Sequence, residues 1–309
     1  MRETSLWLGV PVAALLLATL AALSVSMDRG LAARAAGRGF RSGVTVPVTD
    51  TARLLLQRRR TTLAPDALLW RVGGGALLTV AALMVAVVPL GGYVLSDLPI
   101  GVVWFNAMDV LLWAVLWLAG WGTNSGYGLI GGYRFLSQAV SYELPLMFAL
   151  VTPAVAAGSL RIADVVSAQS GLWFAAWMPV SLLVYLVAVL AFSLVGPFAY
   201  PVGADIAGGI LAEPSGVDRL VMLAGREALL VAGAAFAVPL FLGGGAGPVL
   251  PGWLWSLVKT MAVLALLTVV RRRIPTIRAE RFAEVGWLVG LPLTLLQLLI
   301  VSVVVVARA

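Results

Sequence analysis

An all-α fold, a polytopic transmembrane helical bundle, is the class this sequence predicts, and three observations predict it. The 309 residues are 61% hydrophobic and only 11% charged, against roughly 25% charged residues in an ordinary soluble domain. Mean hydropathy is +1.02. About eight apolar runs are long enough to cross a hydrocarbon core of about 30 Å, which takes roughly 20 helical residues. A water-soluble fold is excluded, and so is a barrel.

In order, the expected spans are 5–26, 71–94, 101–120, 139–158, 174–196, 219–243, 251–271 and 285–307 in one membrane domain covering 1–309. The first follows Arg2 but runs from Leu6 to Val25, too long for a signal-peptide core and without a clear small-residue cleavage site, so it reads as a retained helix. Gly73 to Gly75, Pro179, Pro239 and Pro292 fall inside spans. Neighbouring helices can re-satisfy the backbone groups they free.

Arginine placement sets the expected orientation. The first connection carries Arg29, Arg34, Arg38, Arg41, Arg53 and Arg58 to Arg60, and the last carries Arg271 to Arg273, Arg278 and Arg281. The segments 95–100 and 244–250 contain no Lys or Arg, and 159–173 only Arg161. By the positive-inside rule, the loops at about 27–70, 121–138, 197–218 and 272–284 are cytoplasmic and both termini lie outside, in a multi-pass protein of the cell inner membrane. The formal charge of +7 then belongs beside anionic lipid rather than nucleic acid. Arg34, Arg38 and Arg41 recur at helical spacing, and Thr49 with Asp50 precedes Leu54 to Leu56 as a helix cap, so short cytoplasmic interfacial helices are expected. They serve either a site or a lipid anchor.

The chain has no Cys and no His, so no metal site is expected, and thiolate, imidazole, haem and disulfide chemistry are removed together. What remains is carboxylates, Arg, Lys, hydroxyls and backbone. Asp109, Glu143, Arg226, Glu227 and Lys259 fall inside the spans, each costing at least roughly 2.5–3.5 kcal/mol near mid-bilayer unless paired or hydrated. Glu143 is expected near the cytoplasmic end of its span, Glu227 about two turns in, and Lys259 near mid-depth. Arg226 and Glu227 are neighbours and point about 100° apart, so at least one faces another helix. Asp109 has the polar Asn106 one turn away and no evident basic partner; it is read as protonated. Together these groups form either an ion route or structural ion pairs such as Glu227 with Lys259.

Gly120-Trp121-Gly122-Thr123-Asn124-Ser125-Gly126-Tyr127-Gly128-Leu129-Ile130-Gly131-Gly132-Tyr133-Arg134, then Gln138 and Ser141-Tyr142-Glu143-Leu144-Pro145, resemble the H subunit of bacterial NADH-quinone oxidoreductase, the respiratory complex I subunit 1 family. That family reads G-W-x-S-N-x-K-Y-x-L-L-G-x-x-R and then Q-x-x-S-Y-E. Ordered supporting matches span nearly the whole chain: Pro47 with Asp50, Asp97, Pro197-Phe198, Glu213 with Ser215-Gly216, Phe241 to Gly244, Pro251-Gly252-Trp253-Leu254-Trp255 before Lys259, and Gly286-Trp287.

The resemblance implies a membrane-arm subunit of a proton-translocating NADH:quinone oxidoreductase. Such a subunit forms part of the quinone chamber and of an acidic route that couples quinone reduction to proton translocation. It implies quinone as substrate, with flavin and iron–sulfur clusters in partner subunits. Partners are the other membrane-arm subunits, peripheral iron–sulfur subunits and lipid. Carried over by position, Glu143, Asp205, Glu213 and Glu227 fall on the acidic route, with Asp205 in place of a glutamate. Asp50, Arg134 and Tyr142 fall on the chamber or its loops, and Lys259, Arg226 and Asp109 are buried charges.

Departures mark a divergent member. Where the family reads A-E-T-N-R-x-P-F-D-L, this chain has Ala191-Phe192-Ser193-Leu194-Val195-Gly196-Pro197-Phe198-Ala199-Tyr200; Gly126 replaces a Lys, and Gln57-Arg58 a Lys-Glu pair. Competing readings are the membrane anchor of a related proton-translocating hydrogenase or dehydrogenase, an uncoupled paralogue, and an ion-coupled secondary transporter using Asp109, Glu143 and Glu227. The lack of an internal repeat counts against the last.

Overall fold

The computed structural model describes residues 1–203 and 208–308. Its helices are α1 (Leu6–Ala35), α2 (Phe40–Val44), α3 (Val46–Leu56), α4 (Ala67–Val85), α5 (Gly101–Trp121), α6 (Gly126–Ala157), α7 (Ile162–Ser167), α8 (Phe174–Trp177), α9 (Pro179–Phe192), α10 (Gly216–Phe241), α11 (Gly252–Arg273), α12 (Ala279–Val285) and α13 (Leu291–Val306). A π-helical turn, Gly286–Gly290, joins α12 to α13 into one rod. That turn absorbs Pro292, which has no amide to donate. Two short strands, β1 (Arg2–Glu3) and β2 (Tyr93–Val94), pair in parallel.

Seven rods are long and apolar enough to span a membrane among the described residues, and α9 is a shorter apolar helix. The expected span 174–196 is broken at Met178, because Pro179 bars helical backbone in the residue before it. α9 survives at 14 residues since it is packed between α6 and α10, so its own length need not match the bilayer. The expected loop 121–138 is another difference: α6 starts at Gly126, capped by the Ser125 hydroxyl, and runs 32 residues to a left-handed Gly158. Similarly, α1 continues nine residues beyond the expected boundary at 26, to Ala35.

Interfacial helices are present where the sequence predicts them, with other boundaries. Arg34 ends α1, Arg38 lies in a turn and Arg41 belongs to α2, so the three do not share one helix. α3 starts at Val46 with Pro47 in its first turn, four residues ahead of Asp50. Its Val48, Leu55 and Leu56 are exposed, an apolar face suited to a membrane surface.

The connections sort into two ends. At the basic end, Arg59 pairs with Asp218 at 2.6 Å, Asn124 Nδ2 donates to the Leu63 and Ala64 carbonyls at 3.2 Å, and Ile277 N donates to Pro197 O at 2.8 Å. At the opposite end, Arg161 pairs with Asp97 at 3.2 Å, and Gln169 Oε1 accepts from Gly243 N at 2.9 Å. Between the ends lies a dry core, in which Phe105 stacks on Phe236 at 3.9 Å, with Tyr185 and Phe192 tilted against Phe105 at 6.3 and 6.4 Å.

Candidate functional site

The motif at 120–145 builds the joint between α5 and α6 and a wall facing Pro201 and Gly208 to Ile210. Gly131 is needed there because a Cβ would collide with the backbone of Ile210 and Pro201. Arg134, on the third turn of α6 rather than in a loop, donates to Gly208 O at 2.8 Å and lies 4.2 Å over the Tyr200 ring. Gln138 is fully enclosed and donates to the Ala191 and Phe198 carbonyls at 2.9 and 3.3 Å, tying α6 to the end of α9. Ser125 Oγ donates to Glu213 Oε1 at 2.6 Å, so Glu213 closes the basic end over the start of α6.

One turn further along α6 lies the first interior cluster. Glu143 is 8% exposed and Asp109, on α5, is 0% exposed. Asn106 Nδ2 donates to Glu143 Oε1 at 3.1 Å, and the Tyr142 hydroxyl donates to Asp109 Oδ1 at 3.2 Å. The two carboxyls lie beside each other across the α5–α6 contact, and Asp109 Oδ2 and Glu143 Oε2 are buried without a hydrogen-bond partner among the described residues. Asp109 is therefore half of a carboxyl pair rather than an isolated acid. Glu143 sits at mid-helix, not near the end, because α6 begins thirteen residues before the expected 139. Tyr142 is a buried partner of Asp109 and stands in no loop.

A second cluster joins α1, α10 and α11. Arg271 Nη1 donates to Glu227 Oε1 at 3.1 Å, and its Nε donates to Asp28 Oδ1 at 2.7 Å. Arg272 grips the same aspartate with Nε to Oδ1 at 2.6 Å and Nη2 to Oδ2 at 2.5 Å, and Ser24 Oγ donates to Glu227 Oε2 at 3.3 Å. Two acids and two guanidiniums make a network with no net charge, which is how buried charge is tolerated. Arg226 turns away from Glu227 and donates to the carbonyl of Leu194.

The pairing of Glu227 with Lys259 does not occur. Lys259 lies on the second turn of α11, nearer the opposite end than mid-depth. Its Nζ donates to the Leu242, Gly244 and Ala246 carbonyls at 2.7, 2.9 and 2.7 Å and stands 4.2 Å from the Trp173 ring centre. All three ammonium protons are used by the chain reversal between α10 and α11. Asp50 pairs with Arg29 at 3.7 Å on the exposed surface of α3. Asp205 lies outside the described residues.

Sequence reasoning missed Asp28, Ser24 and the inward role of Arg271 and Arg272. Ser24 and Asp28 are spaced i, i+4 on one face of α1, and Asp28 directly precedes Arg29 at the start of the arginine-rich connection. That spacing was the available signal. It was obscured by placing the end of the helix at 26.

A bundle of apolar helices enclosing a carboxyl pair and a neutral ion network defines a polytopic integral membrane protein that keeps ionisable groups in its interior. A family model described as NADH dehydrogenase matches residues 8–302. Curated relatives include H subunit 2 of NADH-quinone oxidoreductase from Geobacter sulfurreducens, 33% identical over 91% of this chain and 91% of its own length. The H subunit from Carboxydothermus hydrogenoformans is 31% identical over 84% of this chain and 75% of its own. H subunit 2 from Cereibacter sphaeroides is 35% identical over 70% and 69%. The chain belongs to the NADH dehydrogenase family, and the relatives it matches are H subunits of NADH-quinone oxidoreductase, the membrane-embedded kind of complex I subunit.

Proposed function

We propose that the chain is the membrane-arm subunit of a complex I-like NADH-quinone oxidoreductase, with its basic end cytoplasmic and both termini on the other side of a cell inner membrane. Its relatives carry that subunit name, and the arginines of the first and last connections gather at one end. Quinone is the substrate. Flavin and iron–sulfur clusters reside in partner subunits, since this chain offers neither Cys nor His as a ligand.

In this reading the segments around Arg134, Glu213 and α3 wall the quinone headgroup at the basic end, and Asp205, outside the described residues, belongs to the acidic route by its place in the sequence. Glu227 and the Asp109–Glu143 pair respond to its change of charge. The observation that carries the coupling half is the burial of Asp109 and Glu143 side by side on α5 and α6, held by Tyr142 and Asn106. Two adjacent carboxyls in a low-dielectric site change proton occupancy when a nearby charge changes, so a redox event can move a proton between them and a neighbouring subunit. Glu143→Gln and Glu227→Gln in the assembled complex test this. Quinone-dependent turnover and the proton gradient fall while subunit composition stays intact; normal values in both variants reject the reading.

One observation favours a second reading, an uncoupled member of the same family. Phe192 occupies the position where the family pattern has a glutamate. It is fully buried, 6.4 Å from Phe105 and next in sequence to the α9 terminus that Gln138 holds. An aromatic ring there can neither carry a proton nor admit water. Quinone turnover without a gradient in reconstituted vesicles selects this reading; a gradient abolished by uncoupler selects the first.

A further inference from the structure

The opposite end of the bundle holds a cavity of about 460 Å³ between α1, α10 and α11, within the size range of small-molecule and lipid-chain sites. None of the interior acids lines it. Among the described residues, polar contacts hold α1 toward its two ends. Near its start, Arg2 N donates to Gly92 O at 2.9 Å and Thr4 N to Val94 O at 3.0 Å, and near its end Ser24 and Asp28 join the ion network. Between them Leu17, Leu20 and Ala21 pack against the core, while Leu8, Val12 and Ala13 face the cavity.

The α1 wall of the cavity is the row Gly9, Ala13, Leu16 and Leu20, spaced i, i+4, i+7 and i+11, and Ala235 faces it from α10. Small residues at Ala13 and Ala235 leave the room, while Gly9 admits the Leu95 side chain. From Gly9 to Leu20 the helix rises about 16 Å, close to the roughly 15 Å of one hydrocarbon leaflet. Tyr93, 51% exposed, lines the mouth and Trp7, 92% exposed, stands near it in sequence, residue types enriched at headgroup level. Two charges stand there. The Arg2 guanidinium has no hydrogen-bond or ion-pair partner among the described residues. Glu3 uses one carboxylate oxygen, Oε1, to accept from Asp97 N at 2.9 Å.

We propose that this cleft is a binding site for one zwitterionic aminophospholipid of the leaflet opposite the basic end, with one acyl chain between α1 and α10, its phosphate on Arg2 and its ammonium on the free oxygen of Glu3. A leaflet-deep apolar slot beneath one cation and one anion matches that molecule in length and in charge. An isoprenoid quinone tail matches the slot but leaves both charges without a counterpart. The lipid fills the space under α1 and so holds the span at its working distance from α10. This inference does not depend on the quinone reading above.

The test uses the assembled complex in native-lipid nanodiscs containing phosphatidylethanolamine with a diazirine on one acyl chain. After photolysis and peptide mapping, label is expected on 8–20 and 231–238. Ala235→Trp fills the slot from α10 and lowers that label at least about tenfold, and Arg2→Gln, which removes one charge-assisted phosphate contact, lowers it about tenfold. Phosphatidylglycerol carrying the same diazirine labels more weakly. Should Ala235→Trp fail to assemble, Ala13→Trp fills the slot from the α1 side. Absent label on both segments, label unchanged by the tryptophan, or stronger label from a diazirine-bearing isoprenoid quinone overturns the proposal, whereas quinone turnover in Arg2→Gln stays at the parent level.

Discussion

Arg271 donates to Asp28 at 2.7 Å across 243 positions of sequence, and the same guanidinium holds Glu227 at 3.1 Å. One side chain thus ties α1 to α10 through α11. It also joins the N-terminal rod, which has little other packing, to the middle of the bundle.

Replacing Arg271 by Met leaves Asp28 with only Arg272 and Glu227 with only Ser24. Breaking a buried network of this kind costs about 3 kcal/mol. The expected outcome is less assembled complex and a lower dissociation temperature on native gels. Arg271→Met combined with Glu227→Gln should recover part of the loss, because the unpaired charge goes with its partner.

Lys259→Met strips the donor from three carbonyls at once. Unmade hydrogen bonds of buried carbonyls cost about 1–3 kcal/mol each when water does not replace the donor, and here the 242–251 turn can open instead. Amide hydrogen exchange in that turn is expected to rise at least about tenfold, with quinone turnover little changed.

Gln138→Leu keeps the side-chain volume but leaves the Phe198 carbonyl without a donor and the Ala191 carbonyl with backbone amides alone. A cost of about 1–3 kcal/mol follows. Chaotrope titration of the complex should show earlier release of this subunit, and the conservative Gln138→Asn should not rescue it, being one methylene too short to span both carbonyls.

Asp109→Asn retains an acceptor for Tyr142 and offers an amide donor toward Glu143, so the helix contact survives while one titratable carboxyl is lost. Assembly at the parent level with quinone-linked proton translocation reduced by at least about tenfold is the expected result. Asp109→Leu, which removes the polar contacts as well, should lower both.

The spans, the gathering of arginine at one end and the shortlist of interior charges were legible in the sequence, because twenty-residue apolar runs and the cost of a charge in hydrocarbon are properties of short windows. Boundaries were less legible. α6 runs on to Gly126 because Arg134 and Gln138 are polar side chains satisfied by the carbonyls of Ala191, Phe198 and Gly208, and a polarity count ends the helix where those residues begin. The break before α9 was visible in Pro179, although a proline within an apolar run is read as tolerated until packing shows otherwise.

By itself, the sequence determined that this protein is a membrane bundle of the NADH dehydrogenase family and that its interior acids need partners. Only the tertiary structure decided who those partners are: Asp109 with Glu143, Glu227 with Arg271 rather than Lys259, and Lys259 with bare carbonyls. The reason is geometric. Composition states how many charges must be neutralised, but helix crossing and rotation choose which of them come within about 3 Å, and neither is written in any local stretch of the chain.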